Sequence, residues 1–351
     1  MKARFVALAA ILLLVAASTA SAGEAPKTVR WKVQSCFPLN MPLTDNAVAL
    51  WAKKVQEMSG GRMSIELHGD GAIVKGPAIY EAVRDGVLDA GQNTPAWQKG
   101  RFPAGDLLYT LPGGVTEYHD YILWVYGGGG WQLAQEMYKG EVVVFPLGLT
   151  PPEEIWTNKP IKSLADFKGL KMRNAGLSME LFQKLGASVV LLAGGEVVPS
   201  LQRGVIDAAE FSDASMDLAL GLPDVAKYVI GPPIHMGSNM FQLLVNPKSY
   251  EALPADLKSI VREATISATF EGYARHWAEA IKAFEKIKQK GVTVIKLSPK
   301  DQAEARRLAY EILEEKSKKD PFFKKMWESQ RDFKKAYQPY HNFTAFDQQP
   351  Q

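Results

Sequence analysis

Cysteine is nearly missing from this sequence: Cys36 is the single one in 351 residues. One thiol excludes an internal disulfide framework and any cluster of thiolate metal ligands. Histidine is sparse too, at five residues, with no H-E-x-x-H and no close pair. No G-x-G-x-x-G follows a strand-like run and no G-x-x-x-x-G-K-[ST] occurs; YGGGGW at 126–131 has neither the lysine nor the strand-turn-helix setting of a phosphate cradle. A G-x-S-x-G elbow is absent, so His119 beside Asp120 has no serine to complete a hydrolase set. Without an acid, base and nucleophile at meaningful spacing, the expectation is a protein that is not an enzyme. An excess of one charge is also lacking. Forty-one Lys and Arg face 38 Asp and Glu, which leaves no polybasic field for nucleic acid. Solenoid-type repeats are absent.

What is present begins with MKARFVALAAILLLVAASTASAG. Lys2 and Arg4 precede an uninterrupted apolar stretch from Phe5 to Ala17, and Ala20 and Ala22 form an A-x-A cleavage signal before Gly23. The apolar core is shorter than the roughly 20 residues of a membrane span, so residues 1–22 read as a cleaved export signal. The mature chain is then extracytoplasmic. Because Cys36 does not sit at the cleavage point, no lipid on a mature N-terminal cysteine is expected.

Beyond the signal the pattern alternates. VRWKVQSCF reads as a buried strand, and AVALWAKKVQEMSG as a helix with Ala47, Leu50, Trp51, Val55 and Met58 on one face and Gly60 and Gly61 at its stop. RMSIELHG alternates as a second strand, and AIYEAVRDGVLDAGQ gives a helix and the entry to a third. This order predicts a parallel or mixed sheet flanked by helices. EVVVFPLGL is an apolar strand before the turn-rich TPPEEIWTNKPIKS, after which the rhythm restarts with KMRN, SMELFQKLG, ASVVLL, GEVVPSLQRGV and IDAAEF. The reading is a first lobe over 23–150, joined by part of 241–300, and a second lobe over 151–240. Residues 255–290 hold no internal proline and a single glycine, Gly272, which predicts an unusually long helix. Charge-rich helices over 301–340 close the chain as a solvated face, a brace across the lobes or a dimer contact. The Gly127–Gly130 run reads as a loop.

Arg173 stands where the short strand KMRN gives way to the SMELFQKLG helix, with Asn174 beside it. A guanidinium there suits bidentate contact with a small anion between the lobes. Glu210 ends IDAAEF, at the sheet mouth where α/β folds place ligands. Arg173 and Glu210 form either a structural ion pair or a carboxylate site. In the second case Glu210 repels the ligand unless Na⁺ or Ca²⁺ lies between them, and such a cation also takes the ligand's 2-oxo or 2-hydroxy oxygen. Phe37, Trp97, Trp156 and Phe211 are candidate cleft aromatics, each with a core reading beside it. Asn239 faces the cleft if the 241–246 strand recrosses between the lobes.

FKGLKMRNAG at 167–176, AGGEVVPSLQRGVIDAAEF at 193–211 and KYVIGPPIHMGSNMFQLLVN at 227–246 resemble the periplasmic solute-binding subunits of tripartite ATP-independent periplasmic (TRAP) transporters, of the DctP type. The likeness spans essentially the whole mature chain and is greatest to the branch that binds 2-oxo acids or lactate with a metal ion. It implies two α/β lobes of periplasmic-binding-protein type, joined by crossing strands around a cleft, with a long helix along both. It places Arg173 on the family's carboxylate-binding arginine, and Glu210 with the main chain of Phe211 on the metal-binding pair. Phe211 stands where that branch commonly has tryptophan. Glu153, in TPPEEIW, stands in for a glutamine that helps hold the cation, which favours Ca²⁺ over Na⁺ on charge.

The resemblance thus implies capture of a small organic acid in the periplasm for TRAP membrane subunits, with no catalytic cofactor. It also implies pairing of some relatives through C-terminal helices. The alternatives are a relative binding an aromatic acid or dicarboxylate without metal, an exported enzyme, or a ligand sensor.

Overall fold

The computed structural model describes residues 28–114 and 118–344. The export signal read in residues 1–22 lies outside the described residues. Two sheets organise the chain. In the first, β1 (Val29–Ser35) runs parallel to β2 (Met63–His68) on one side and to β3 (Ala90–Asn93) on the other. The apolar strand read at 141–149 is β4 (Val143–Leu149). It ends the first sheet and is followed by the strands of the second: β5 (Ile155–Thr157), β6 (Lys171–Arg173), β7 (Ser188–Val190), β8 (Ala208–Ala209) and β9 (Tyr228–Gly231). The chain then crosses back, and β10 (Met240–Val245) inserts antiparallel between β3 and β4. The first sheet is ordered β2-β1-β3-β10-β4.

The second sheet is ordered β11-β9-β5-β8-β6-β7, where β11 (Thr293–Lys296) arrives after the long helix and pairs parallel with β9. The alternating sequence gave no sign of this return, because TVIK is short and largely exposed. Both sheets are mixed, as the strand–helix order predicts.

The long helix runs Ala255–Gln289 without interruption. At about 1.5 Å per residue it is roughly 50 Å long, enough to lie along both lobes. Leu257, Val261, Ala264, Ala268, Gly272, His276, Ala280, Ala283 and Ile287 form one buried stripe at spacings of three and four. Its first half packs on the first lobe, where the Trp51 indole donates to the Val261 carbonyl at 3.3 Å. Its end joins the second lobe's core through Ala283 and Ile287. Gly272 has a specific reason to be glycine: a Cβ there would sit 1.7 Å from the Asn46 carbonyl oxygen.

Two local expectations are revised. Leu50, Trp51 and Val55 are buried as the apolar face requires, but Met58, the last residue of the helix Leu50–Met58, is half exposed where the Gly60–Gly61 turn leads away. The glycine run at 127–130 is not an open loop. Gly127 ends the helix Tyr118–Gly127 and Gly130 begins the helix Gly130–Met137, with Gly129 at φ +87° in the bend. Gly128 and Gly130 admit the rings of Phe333 and Trp124, which added Cβ atoms would strike.

Candidate functional site

Two segments carry the chain between sheets, Thr150–Glu154 after β4 and Pro232–Asn239 before β10. They are laced together. Thr150 N–H donates to the Asn239 carbonyl at 3.1 Å, Glu153 N–H to the Met236 carbonyl at 3.1 Å, and the Ser238 hydroxyl to the Thr150 carbonyl at 2.7 Å. This ladder fixes Glu153, His235 and Asn239 relative to one another. Beside it, β6 and β8 pair in parallel, with Arg173 opposite Ala209, so Arg173 and Glu210 leave neighbouring strand ends together.

Arg173 Nη1 lies 2.8 Å from Glu210 Oε1, and both residues are nearly sealed from solvent. The directed hydrogen bond from that nitrogen goes to the Glu210 carbonyl at 2.6 Å, and Nε donates to the Leu192 carbonyl at 3.3 Å. Among the described residues Glu210 Oε1 therefore has a neighbouring charge but no hydrogen bond. The guanidinium also stands 5.9 Å from the centre of the Phe211 ring. Next in sequence, Asn174 accepts from the Ser178 hydroxyl at 2.6 Å while its amide nitrogen, fully buried, has no acceptor among the described residues.

Glu153, Glu210 and His235 converge so that one donor atom of each lies within 4.8 Å of the others. Glu153 Oε1 accepts from Asn239 Nδ2, and its Oε2 has no donor. Burial and then the charge of Glu210 push the Glu153 carboxyl well above its usual range. Burial and then the charge of Arg173 hold the His235 imidazole down at about 3, so the ring is neutral at ordinary pH. Buried acceptor oxygens without donors fit a cation, and Glu153 and Glu210 supply them here.

Of the residues singled out from sequence, Arg173, Asn174, Glu210, Phe211, Glu153 and Asn239 are brought together. Phe37 reaches the same region through the Phe241 ring, edge-on at 5.6 Å, and Tyr109 meets Phe241 in the same way at 5.6 Å. Trp97 packs over Gly76 within the first lobe. Trp156 lies elsewhere: fully buried with Val197, Leu201 and Ile206 in the second lobe's core, it donates its indole N–H to Asp217 at 2.5 Å. Sequence reasoning missed two residues. Tyr109 lies close enough for Glu153 and Glu210 to help burial in raising its phenol. His235 stood in the sequence as one isolated histidine with no spacing signal.

A second buried group resembles a hydrolase triad by composition only. His276 of the long helix offers the same ring nitrogen, Nε2, to Asp213 Oδ2 at 2.9 Å and to the Ser215 hydroxyl at 3.0 Å. A relay needs the acid and the serine on opposite ring nitrogens; here Nδ1 has no partner among the described residues. Burial alone would raise Asp213, but His276 and Ser215 outweigh it and hold the carboxyl low. The group ties the long helix to the second lobe.

The family described as DctP, bacterial extracellular solute-binding protein, family 7, matches residues 37–320. The chain belongs to this family. The DctP protein is 30% identical over 331 residues to a monocarboxylate 2-oxoacid-binding periplasmic protein of Nostoc sp., covering 94% of this chain and 90% of that relative. It is similar to a TRAP periplasmic solute-binding protein of Colwellia psychrerythraea with bound calcium and pyruvate (TM-score 0.83, 29% identity, 91% of this chain and 98% of that one). A Pseudoalteromonas atlantica counterpart with bound sodium and pyruvate matches at TM-score 0.83 and 28% identity, over 91% of this chain and 97% of its own. A TRAP transporter solute-binding protein of Bordetella bronchiseptica, a mixed-occupancy dimer with copurified calcium and picolinate, matches at TM-score 0.84 and 27% identity, over 90% and 95%. The DctP protein thus has the two-lobed fold of TRAP solute-binding proteins, which are binding subunits of transporters and not enzymes.

Proposed function

We propose that this DctP protein is a periplasmic receptor that captures a small 2-oxo or 2-hydroxy monocarboxylate and presents it to TRAP membrane subunits. The observation that carries the reading is the sealed Arg173 guanidinium set beside acceptor oxygens of Glu153 and Glu210 that lack hydrogen bonds. Arg173 keeps Nη2 for the acid's carboxylate, since Nε and Nη1 are engaged with carbonyls. Glu210, Glu153 and the main-chain carbonyl of Phe211 hold a Ca²⁺ or Na⁺, as the donor set fits, and that ion takes the 2-oxygen of the ligand. The unpartnered Asn174 amide donates to a ligand oxygen, Asn239 orients Glu153, and Phe37, Phe211 and Trp97 bound the apolar end. Trp156 supports the second lobe from its core and takes no contact with the acid in this reading.

In this reading the lobes over 23–150 and 151–240 close on the acid, with the long helix as the brace. The relatives that bind pyruvate with calcium or sodium favour it over an aromatic acid or dicarboxylate held without metal. Pairing through the helices over 301–340 is a further part of the proposal. Tyr340 and Phe343 stand 73% and 85% exposed on the last of them, and the Bordetella relative is a dimer; light scattering on the full mature chain tests it.

The deciding experiment is calorimetric titration of metal-stripped, ligand-stripped protein with pyruvate, lactate, longer 2-oxo acids, aromatic acids and C4-dicarboxylates, with and without Ca²⁺ or Na⁺. Tight binding of a 2-substituted monocarboxylate that needs the cation is the expected result. Cation-independent binding of another acid overturns the bridge and leaves the family intact.

A further inference from the structure

The cations bound by the relatives, calcium and sodium, are hard ions that take oxygen donors. The cleft of this chain offers something else. His235 is fully buried, yet among the described residues neither ring nitrogen has a hydrogen-bond partner. A buried imidazole unpartnered on both sides runs against the general satisfaction of interior polar groups. Its ring contact is with Phe182, centroids 5.8 Å apart, which satisfies neither nitrogen. The backbone holds the residue in place from both sides. The Ile234 carbonyl accepts from Gly113 of the first lobe at 2.6 Å, and the Met236 carbonyl accepts from the N–H of Glu153 itself. The imidazole is thereby fixed against the two carboxylates, with donor atoms of all three residues mutually within 4.8 Å.

We propose that His235 is a metal ligand, and that Glu153, Glu210 and His235 together make the cleft a site for a borderline first-row divalent cation of the Zn²⁺ or Co²⁺ kind. Imidazole suits such ions and not sodium or calcium. Two carboxylates and one imidazole make three protein ligands, the number with which open sites for such an ion keep a position for an exogenous oxygen, here with one carboxylate more than the histidine-rich sets. The charge balance agrees. A bound cation ionises both carboxyls, and two carboxylates against Arg173 then carry one net negative charge, which Na⁺ only cancels. A divalent ion leaves one net positive charge, and a monocarboxylate neutralises it. The inference rests on the cleft being a metal-bridged acid site and adds a nitrogen donor and a different class of ion.

The test uses the full mature chain stripped of metal. Competition titrations with Zn²⁺, Co²⁺ and Ca²⁺ are run on the wild type and on His235→Asn, and the Co²⁺-loaded wild type is examined by proton NMR. The expected result is Zn²⁺ and Co²⁺ affinity at least tenfold above that for Ca²⁺, falling at least tenfold in H235N while Ca²⁺ affinity moves much less. A hyperfine-shifted imidazole N–H resonance in the Co²⁺ protein is also expected, and it needs no variant to fold. Absence of that resonance, or Zn²⁺ affinity unchanged in H235N, overturns the proposal. If pyruvate still binds with Ca²⁺ or Na⁺ in that event, the acid-receptor reading survives. If the shifted resonance appears but no acid binds with any cation, the metal ligand stands and the acid-receptor reading fails.

Discussion

Arg173 and Glu210 form an ion pair at 2.8 Å in which the hydrogen bond goes to the backbone carbonyl and not to the carboxylate. The pair is held together by strand register, and it leaves Glu210 Oε1 available. In the proposed reading the arginine is a structural residue and a ligand residue at once, and the two roles separate by mutation. Arg173→Ala is expected to lower acid affinity by roughly a hundredfold, the scale of a lost charge-assisted contact. It also strands Glu210 as a buried charge, at about 3–5 kcal/mol. The double variant R173M/E210Q should recover most of the stability and none of the binding. Urea unfolding beside calorimetry checks this; recovery of acid affinity in the double variant would show that Arg173 does not hold the acid.

Trp156 gives the opposite pattern. Its indole N–H is the side-chain donor to Asp217, whose carboxyl is pushed well above its usual range by burial and then by Glu154. Trp156→Phe keeps an aromatic ring but removes that donor, at about 1–3 kcal/mol, and leaves a small cavity in the fully buried core that adds to the loss. Acid affinity measured by calorimetry should be unchanged. A large affinity loss with full stability would instead put the indole against the ligand.

Much of this was legible in advance, and the reasons are physical. Strand and helix periods are local, so the alternation from Val29 onward and the long helix over 255–289 could be read directly. Arg173 and Glu210 were visible because strand ends preceding turns are where charged side chains converge in α/β folds. His235 was invisible because a buried histidine carries no periodicity; its role depends on the Glu153–Met236 hydrogen bond that joins segments more than eighty residues apart in sequence. Trp156 illustrates the converse, since a tryptophan in the middle of the short strand Ile155–Thr157 points to one sheet face or the other, and only the fold decides which.

Gly272 offers a prediction in which local and tertiary effects have opposite signs. By helix propensity alone, Gly272→Ala should stabilise the long helix by about 1 kcal/mol. The added methyl meets the Asn46 carbonyl oxygen, a backbone atom that cannot swing aside. Overpacking of this kind costs about 1–3 kcal/mol and more where backbone must shift, so net destabilisation is expected. Thermal unfolding decides it, and a raised melting temperature would show that the helix and the Asn46 segment slide apart freely.

Asp106 contributes to the pH dependence beside the raised carboxyls of Glu153 and Asp217, and its share is separable by mutation. It lies on the short helix Gly105–Tyr109 of the first lobe, 3.7 Å from where a Cβ would stand at Gly176, in the turn that follows Arg173. Burial pushes its carboxyl up to about 6 against the opposing charges of Lys99 and Lys316, and Oδ1 has no hydrogen bond. An acid raised on folding binds its proton more tightly in the folded state. Its stabilisation is complete below the unfolded value near 4 and is lost as pH rises through about 6. A shift of about two units corresponds to about 3 kcal/mol. Asp106→Asn, uncharged throughout, should therefore match the wild type near pH 4 and exceed its stability by up to about 3 kcal/mol near pH 8. Urea midpoints at the two pH values measure the difference, and an equal effect at both would mean that Asp106 is not the titrating group. If the lobes close on the acid as proposed, the carboxyl that faces the Gly176 turn is more buried in the closed form, and opening lowers its penalty. Acid affinity of D106N should accordingly rise relative to wild type at pH 8 and not at pH 4, which separates closure from stability alone.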